Sequence, residues 1–293
     1  MEVSKAAHIE VVGNEVLGLH LTPGLKMEAE SFDEGIRAHM IVEEGTVIER
    51  PVRICFGVLE EGGLQRIEML VEIREGADIS VFANCTFPNA KEVQHIMDAK
   101  LQIGKNARYK YFERHVHGPA GGVEVIPQAK IELAEGATFQ TEFELIEGRA
   151  GKIDMNYFGV CEESSLLDMV ARICGRADDD IKINEEAELV GEGATGVLRT
   201  NVAVKDEARA RIDNKLVALA PLARGHVDCK EIVKDNAVAS ATPIVEVRHP
   251  RAHVTHEASI GSVDSKQLQT LMSRGLSEDY ATELIIQGLL SRK

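Results

Sequence analysis

The residues best suited to chemistry lie between positions 225 and 257. This segment holds Cys229 and Glu257 together with four histidines, His226, His249, His253 and His256. A thiolate, imidazoles and a carboxylate are the ligands that iron and zinc use in proteins. The spacing fits no HExxH or CxxC motif, and no nucleophile-elbow motif accompanies the cysteine. Residue types alone leave two interpretations: a metal or redox site, or a buried Cys229 with surface histidines.

Three further motifs invite a function but favour a simpler structural role. Gly191–Gly196 matches GxGxxG, yet Val197–Val204 after it has strand character, whereas a dinucleotide site needs a helix there. We therefore predict a corner between strands. His115 and His117 are predicted to be a surface pair without function, and Asp178–Asp180 a solvated turn. The sequence contains no P-loop motif, so ATP hydrolysis by that route is excluded.

Composition narrows the partners and the compartment. With 33 basic and 48 acidic residues the net charge is −15, the wrong sign for a phosphate-backbone binder. The longest apolar run, Leu216–Ala223, is far shorter than the ~20 residues of a membrane span and is interrupted by Pro221. The first thirty residues show no secretory signal, and the five scattered cysteines favour reduced thiols. We expect a cytoplasmic protein that binds neither nucleic acid nor membrane.

A short pattern recurs along the chain and predicts the fold. Each copy has two period-2 runs joined by a turn, with a small residue after the turn and often Gly or Asn before it. A strand–corner–strand unit cannot bury its own apolar face, but stacked units can, which predicts a parallel β-helix. A β-sandwich is the alternative, but its strands need closer spacing and hairpin turns. The small residues are predicted to line up at corners: Thr46, Ala77, Ala107, Ala137, Ser164, Ala187, Ala208 and Ala237.

The two ends of the chain differ from the repeat. We predict an N-terminal segment over 1–39, a parallel β-helix core over 40–262 and a C-terminal helical region over 263–293. Asp264 with Gln267 forms a capping box, Gly275 is a natural helix stop, and Ser277 caps a second helix. From spacing alone this helical hairpin is either an end cap of the solenoid or a docking surface.

The C-terminal sequence resembles the SufB/SufD family of iron–sulfur cluster assembly scaffolds. The similarity is dense over about forty-five residues and weaker back to about residue 65. It rests on Ala252, His256-Glu257-Ala258-Ser259, Asp264, Gln267-Leu268, Ser273-Arg274-Gly275-Leu276-Ser277-Glu278, Ala281 and Ile286 through Gly288. The resemblance implies a mainly β fold, a right-handed parallel β-helix with a C-terminal helical hairpin, which agrees with the repeat.

The resemblance also implies roles for individual residues. Cys229 matches the cysteine on which SufB-like members are proposed to build a cluster, His256 matches a histidine sharing that site, and Glu257 is the SufB-like residue. These three are the expected ligands of a transient 4Fe–4S or 2Fe–2S cluster, and no catalytic residue is expected. The implied partners are a SufC-like ABC ATPase and either a second copy or a SufD-like paralogue. The helical hairpin is expected to dock on the ATPase through Leu271, Met272, Leu284 and Ile285.

Two departures from the family bear on mechanism. The chain is far shorter than typical bacterial SufB and lacks most of its N-terminal helical region. The cysteine thought to receive sulfur falls near Ala134, which cannot do that chemistry. A compact scaffold that pairs with itself fits both departures. The alternative function is a β-helix enzyme acting on acidic polysaccharide or an acyl acceptor, although the sequence shows neither a secretory signal nor an aromatic, basic groove.

Overall fold

The computed structural model describes residues 7–32 and 34–292. These residues form a parallel β-solenoid of about 8 turns, followed by two helices. The strands are β1 His8–Val12, β2 Glu15–His20, β3 Leu25–Phe32, β4 Gly35–Val42, β5 Val52–Gly57, β6 Gly62–Ile73, β7 Asp78–Phe87, β8 Glu92–Ile103, β9 Arg108–His117, β10 Val123–Leu133, β11 Thr138–Glu147, β12 Lys152–Cys161, β13 Leu166–Gly175, β14 Asp180–Leu189, β15 Thr195–Val204, β16 Arg209–Ala218, β17 Arg224–Val233, β18 Val238–Val247 and β19 His253–Gly261. The helices are α1 Ser265–Met272 and α2 Glu278–Leu290.

The strands form two sheets that enclose one core. From β5 onward the odd-numbered strands lie side by side in a ten-stranded sheet, and from β4 onward the even-numbered strands do so in a nine-stranded sheet. Each strand pairs in parallel with the strand one coil away, so β7 pairs with β9 and β8 with β10. The predicted parallel β-helix is confirmed. At the N-terminal end β1–β2 and β3–β4 pair antiparallel, and β1 also pairs in parallel with β5.

The predicted corners are present where the pattern is clearest. Ala77, Ala107 and Ala137 are fully buried at successive corners, and the Thr138 amide donates to the Ala107 carbonyl one coil away. The residue before each has a positive φ: Gly76 +66°, Asn106 +56° and Gly136 +67°. A larger residue in place of each alanine would not fit the corner, and glycine or asparagine tolerates the left-handed backbone there.

Among the later corner predictions, the one at Ala187 is wrong and the one at Ser164 is off by one residue, whereas the corner at Ala237 is present with a different residue at the positive φ. Ala187 lies inside β14 and turns into the core, so the alternation around it is one continuous strand. Ser164 itself has a positive φ of 55°, and the buried small residue is Ser165. In the last corner Asp235, and not Asn236, has the positive φ. At two of these positions a polar or acidic residue, Ser164 or Asp235, has the positive φ in place of glycine. This substitution weakened the sequence signal for a corner.

The predicted corner at Gly191–Gly196 is confirmed, but the predicted solvated turn at Asp178–Asp180 is wrong for Asp179. Gly193 has a φ of +69° between β14 and β15. Asp179 is 1% exposed, and its carboxylate accepts hydrogen bonds from the backbone amides of Ala150, Gly151 and Arg176. Its carboxylate ties two coils together.

The helical hairpin forms as predicted. The Asp264 carboxylate accepts a hydrogen bond from the Gln267 backbone amide at 2.7 Å, and the Ser277 hydroxyl accepts one from the Tyr280 amide at 3.4 Å. Gly275, with a φ of +91°, lies just after the end of α1. Helix α2 packs on the outer face of the ten-stranded sheet, where Ile286 and Leu290 contact Cys174 and Ala203. In the part of the chain described, neither helix is long and apolar enough to cross a membrane.

Candidate functional site

Cys229 lies at the middle of β17, one coil before the C-terminal end of the solenoid. Along β17 the buried side chains are Val227, Cys229 and Glu231, so the thiol points into the interior and is 0% exposed. Its ladder partners are Thr200 on β15 and Ala258 on β19. The final strand β19 therefore encloses the thiol.

The interior around Cys229 is polar. The Asn214 side-chain amide donates to the Cys229 sulfur at 3.8 Å, and both carboxylate oxygens of Glu231 are buried without a hydrogen-bond partner among the described residues. Burial raises the pKa of Cys229 to about 11 and that of Glu231 to about 7. The resting thiol is therefore protonated at neutral pH, and binding a metal ion requires displacing its proton.

The strand register decides which predicted ligands face Cys229. His256 lies opposite Val227, and Ala258 lies opposite Cys229, so His256 is on the inner face of the sheet, diagonal to the thiol. Glu257 lies opposite Asp228 and points to the outer face. The structure thus brings Cys229 and His256 to one face and Glu257 to the other.

A second group of ligands occupies the outer face of the same two strands. Side-chain atoms of His226, Asp228 and Glu257 lie within 4.8 Å of one another. The Thr255 hydroxyl is 2.8 Å from His226 Nδ1, and Lys230 donates to Asp228 at 2.6 Å. Asp228 was missed by the sequence reasoning, which had no means of knowing the register between β17 and β19.

The C-terminal end of the solenoid is open. Strands β18 and β19 are the outermost strands of their sheets, so each leaves one edge unpaired in the described chain. Val245 and Val254, which face inward, are only half-buried, whereas Leu216, the ladder partner of Val245 one coil earlier, is 0% exposed. Large apolar side chains are exposed here as well, among them Val238 (57%), Ile244 (40%), Val247 (50%) and Ile260 (45%).

The helical hairpin lies beside this open end. Lys205 and Arg176 of the solenoid contact Glu283 of α2 at 2.7 and 3.9 Å, and Lys234 contacts Asp279 at 3.1 Å. Helix α1 has no buried residue. A groove between the hairpin and strands β17 and β19 is lined by the predicted contact residues Leu271, Leu284 and Ile285, while Met272 is 41% exposed.

The predicted surface pair of histidines is wrong, because His115 and His117 lie inside the solenoid. They are 1% and 5% exposed, and Cys85, His95 and Glu113 are buried beside them. Burial lowers the pKa of His95 and His117 to about 3. Alternation predicted that the two histidines share a face but could not tell which face is inside, since the strand carries polar residues on both.

The other cysteines differ in their surroundings. Cys85, Cys161 and Cys174 are buried in strands, as expected, but Cys55 is exposed because its strand β5 places it on the outer face. Ala134, near which the family's sulfur-accepting cysteine is expected to fall, lies at the corner between β10 and β11.

Comparison with known proteins agrees with this architecture. The family model described as SUF system FeS cluster assembly, SufBD core domain, matches residues 58–289. A SufBD family iron–sulfur cluster assembly protein of Methanocaldococcus jannaschii is 37% identical, covering 98% of this chain and 90% of that protein. A SufBD family protein of Pyrococcus horikoshii is 33% identical, covering 98% and 87%. The iron–sulfur cluster assembly protein SufB of Bacillus subtilis is 23% identical over 85% of this chain and 54% of its own length. The chain therefore belongs to the SufBD family of iron–sulfur cluster assembly proteins.

Proposed function

We propose that this chain is a non-enzymatic, cytoplasmic scaffold on which a nascent iron–sulfur cluster is built and from which it is transferred. The observation that carries the proposal is the pairing of β17 with β19. It puts a thiol and an imidazole on one inner face, beside the open end of the solenoid. The cluster, 4Fe–4S or 2Fe–2S, is cargo and not a resident cofactor.

The ligand types suit temporary binding. The Cys229 thiolate is the strong ligand for iron, and the His256 imidazole is a weaker ligand that exchanges more readily. Glu257 cannot share that face in the present register, because a strand turns successive residues to opposite sides. We assign Glu257 to the outer cluster with His226 and Asp228, where two carboxylates and an imidazole suit ferrous iron awaiting assembly.

Access to Cys229 requires movement, because the thiol is 0% exposed. A SufC-like ABC ATPase is the proposed source of that movement, since the chain has no P-loop of its own. Helix α2 is fastened to β13 and β15 by apolar contacts and by the Lys205–Glu283 ion pair. A partner that pulls on the hairpin therefore pulls on the strands next to β17.

The open end is the proposed contact with a second copy, or with a SufD-like paralogue. Unpaired edges at β18 and β19, with exposed Val238 and Ile244 nearby, favour pairing with another chain. A two-fold contact there puts two Cys229 sites close to one interface. Ala134 has no thiol, so we propose that sulfur reaches the scaffold by a route that does not use the family's sulfur-accepting cysteine.

Replacing Cys229 tests the scaffold function. Anaerobic reconstitution with ferrous iron and sulfide should load wild-type chain, and Cys229→Ser should lower bound iron and acid-labile sulfide at least ~10-fold, since a hydroxyl does not replace thiolate as a soft ligand. Cys161→Ser is the matched control, because Cys161 is equally buried. Equal loading of Cys229→Ser and wild type, with both folded by circular dichroism, would refute the proposal.

A test of docking through the hairpin needs a milder change than deletion of the hairpin, because α2 covers Cys174 and Ala203. Removing 264–293 should abolish capture of the ATPase, but it also exposes that apolar surface. Met272→Glu places a charge on an exposed position of α1 and should weaken capture at least ~10-fold, whereas Leu59→Glu, at a position that is also exposed but distant in the chain, should not. If Met272→Glu and the folded truncated chain both capture the ATPase as well as wild type does, the docking role is refuted and the hairpin is an end cap of the solenoid.

The alternative enzymatic function gains no support. The matched family and the three relatives described above are all iron–sulfur cluster assembly proteins.

A further inference from the structure

Four potential metal ligands meet inside the solenoid, far along the chain from Cys229. Cys85 and His115 are ladder partners on β7 and β9, Glu113 is two residues before His115 on the same face, and His95 comes from β8 in the opposite sheet. One ligand atom from each lies within 4.8 Å of every other, and each residue is at most 2% exposed. We refer to these four residues as the interior cluster.

The interior cluster has unmet bonding capacity. Neither ring nitrogen of His95 has a hydrogen-bond partner among the described residues, and the same holds for Glu113 Oε2. A buried carboxylate oxygen and a buried imidazole that lack hydrogen-bond partners both destabilise the folded chain. The unpartnered atoms of His95 and Glu113 therefore indicate that a ligand or ion binds between these two side chains.

A chain of hydrogen bonds directs a lone pair of His115 into the cluster. His117 Nδ1 is 2.9 Å from the carbonyl oxygen of Arg149, which can only accept, so Nδ1 carries the proton and Nε2 is bare. His115 Nδ1 is 3.2 Å from that bare nitrogen and therefore donates to it. A neutral His115 then turns an unprotonated Nε2 toward Glu113 Oε1, 2.6 Å away.

Two acceptors at that distance need a positive charge between or beside them. Either His115 holds a second proton and pairs with the Glu113 carboxylate, or a cation is bound by both. A histidine whose other nitrogen donates to a fixed acceptor is the usual arrangement of a metal ligand. Cys85, whose sulfur is 3.6 Å from Glu113 Oε1, and His95 complete a four-ligand set.

The surroundings suit a closed metal site. The aromatic rings of Phe87 and Phe143 pack against His95 and His115, with centroid distances of 5.1 and 4.7 Å. Tetrahedral zinc separates its ligand atoms by roughly 3.3–3.8 Å. The 2.6 Å His115–Glu113 pair would therefore widen on binding, and separations near the 4.8 Å limit would shorten. Two parallel sheets hold the ligands, which limits any larger rearrangement.

We propose that Cys85, His95, Glu113 and His115 bind one four-coordinate divalent transition-metal ion, zinc or ferrous iron, inside the solenoid. The ion binds as the chain folds, because the completed coils enclose all four ligands. It replaces the Cys85 thiol proton, which leaves to solvent, and no electron is transferred. This site is independent of the scaffold function, and either can hold without the other.

Metal content of the full chain tests the proposal. The Cys229→Ser background removes the proposed cluster anchor, so iron bound there does not interfere. Chain refolded with equal zinc and ferrous iron, and then treated with a chelator, should retain about one ion. Elemental analysis identifies which of the two ions is held. Refolding with cobalt should give a thiolate-to-cobalt charge-transfer band.

Variants assign the ion to the cluster. Cys85→Ala and Glu113→Gln should each lower the retained ion at least ~10-fold, and Cys85→Ala should remove the cobalt band. Glu185→Gln is the matched control, since Glu185 is also a fully buried interior carboxylate, and it should keep the ion. Background chain that refolds to native circular dichroism but retains no zinc, iron or cobalt overturns the proposal and leaves a protonated His115 paired with Glu113. Retention by folded Cys85→Ala and Glu113→Gln overturns it equally.

Discussion

Cys85 and Cys229 are both 0% exposed on the inner face of the same sheet, yet they lie in different surroundings. Cys85 has coils on both sides, three further potential ligands beside it and an aromatic shell. Cys229 has only one strand, β19, between it and the end of the sheet, and His256 there is exposed. One repeating architecture therefore offers the proposed metal site an enclosed position between coils and the proposed cluster site a more accessible position at its end.

The difference follows from position along the solenoid. An interior coil buries its inward side chains against two neighbours, and a terminal coil against one. Local opening is easiest where the fewest contacts must break, which is at the terminal coil. A ligand that must be handed on belongs there, and an ion that must stay belongs in the middle.

The largest expected effect is a separation of the two sites by single substitutions. Cys229→Ser should lose the cluster and keep the interior ion, and Cys85→Ala should lose the ion and keep most cluster loading. Each loss should be at least ~10-fold by iron, sulfide and zinc analysis, because the removed sulfur is the soft ligand of its site. Loss of both the cluster and the interior ion in either variant would mean that the two sites are coupled.

A smaller effect should distinguish the stability of the two regions. Val125 is 0% exposed inside the solenoid, and Val245 faces inward but is half-buried at the open end. Val125→Ala should lower the free energy of unfolding by about 2–3 kcal/mol at any protein concentration. Val245→Ala should cost about 1 kcal/mol in dilute solution and more where a second copy covers the end. Denaturant unfolding at two protein concentrations measures both, and equal, concentration-independent costs would contradict an open end.

The pH dependence of the free energy of unfolding should report on Glu185, a buried acid in β14. Burial raises the pKa of Glu185 to about 8, so between its unfolded value of 4.5 and that value the folded chain binds more protons than the unfolded chain. Stability should therefore fall as pH rises, by on the order of 2 kcal/mol between pH 6 and 8. Glu185→Gln should flatten this slope. Glu186→Gln should not, because Glu186 is partly exposed and pairs with Lys215. An unchanged slope in Glu185→Gln would remove Glu185 as its source.

The repeat allowed the sequence to predict the fold well in its middle coils. Glycine or asparagine before a buried alanine marks corners at Ala77, Ala107 and Ala137, because backbone strain and space select those residues. The signal failed near Ala187, where an inward alanine within a strand has the same alternation as one at a corner. The helix caps at Asp264 and Ser277 were predictable because they depend only on neighbouring residues.

The sites were harder to predict because they depend on contacts between coils. Residue types singled out Cys229 and His256 and the family resemblance gave them roles, but the register that turns Glu257 to the other face was not accessible from the sequence. The interior cluster joins residues of β7, β8 and β9, and among its members only His115 belonged to a local motif, together with His117. A repeat length that varies from coil to coil hides which residues become neighbours.

The central claim is that Cys229 anchors the iron–sulfur cluster at the open end. Differential alkylation of the cysteines tests this claim most directly. Full chain is alkylated anaerobically over hours, before and after cluster loading, and each cysteine peptide is quantified by mass spectrometry. Exposed Cys55 should react fast in both samples, Cys85 should scarcely react in either, and Cys229 should react slowly through local opening of the terminal coil. Loading should slow Cys229 at least ~10-fold and leave Cys55 unchanged. An unchanged Cys229 rate in cluster-loaded chain would contradict the account.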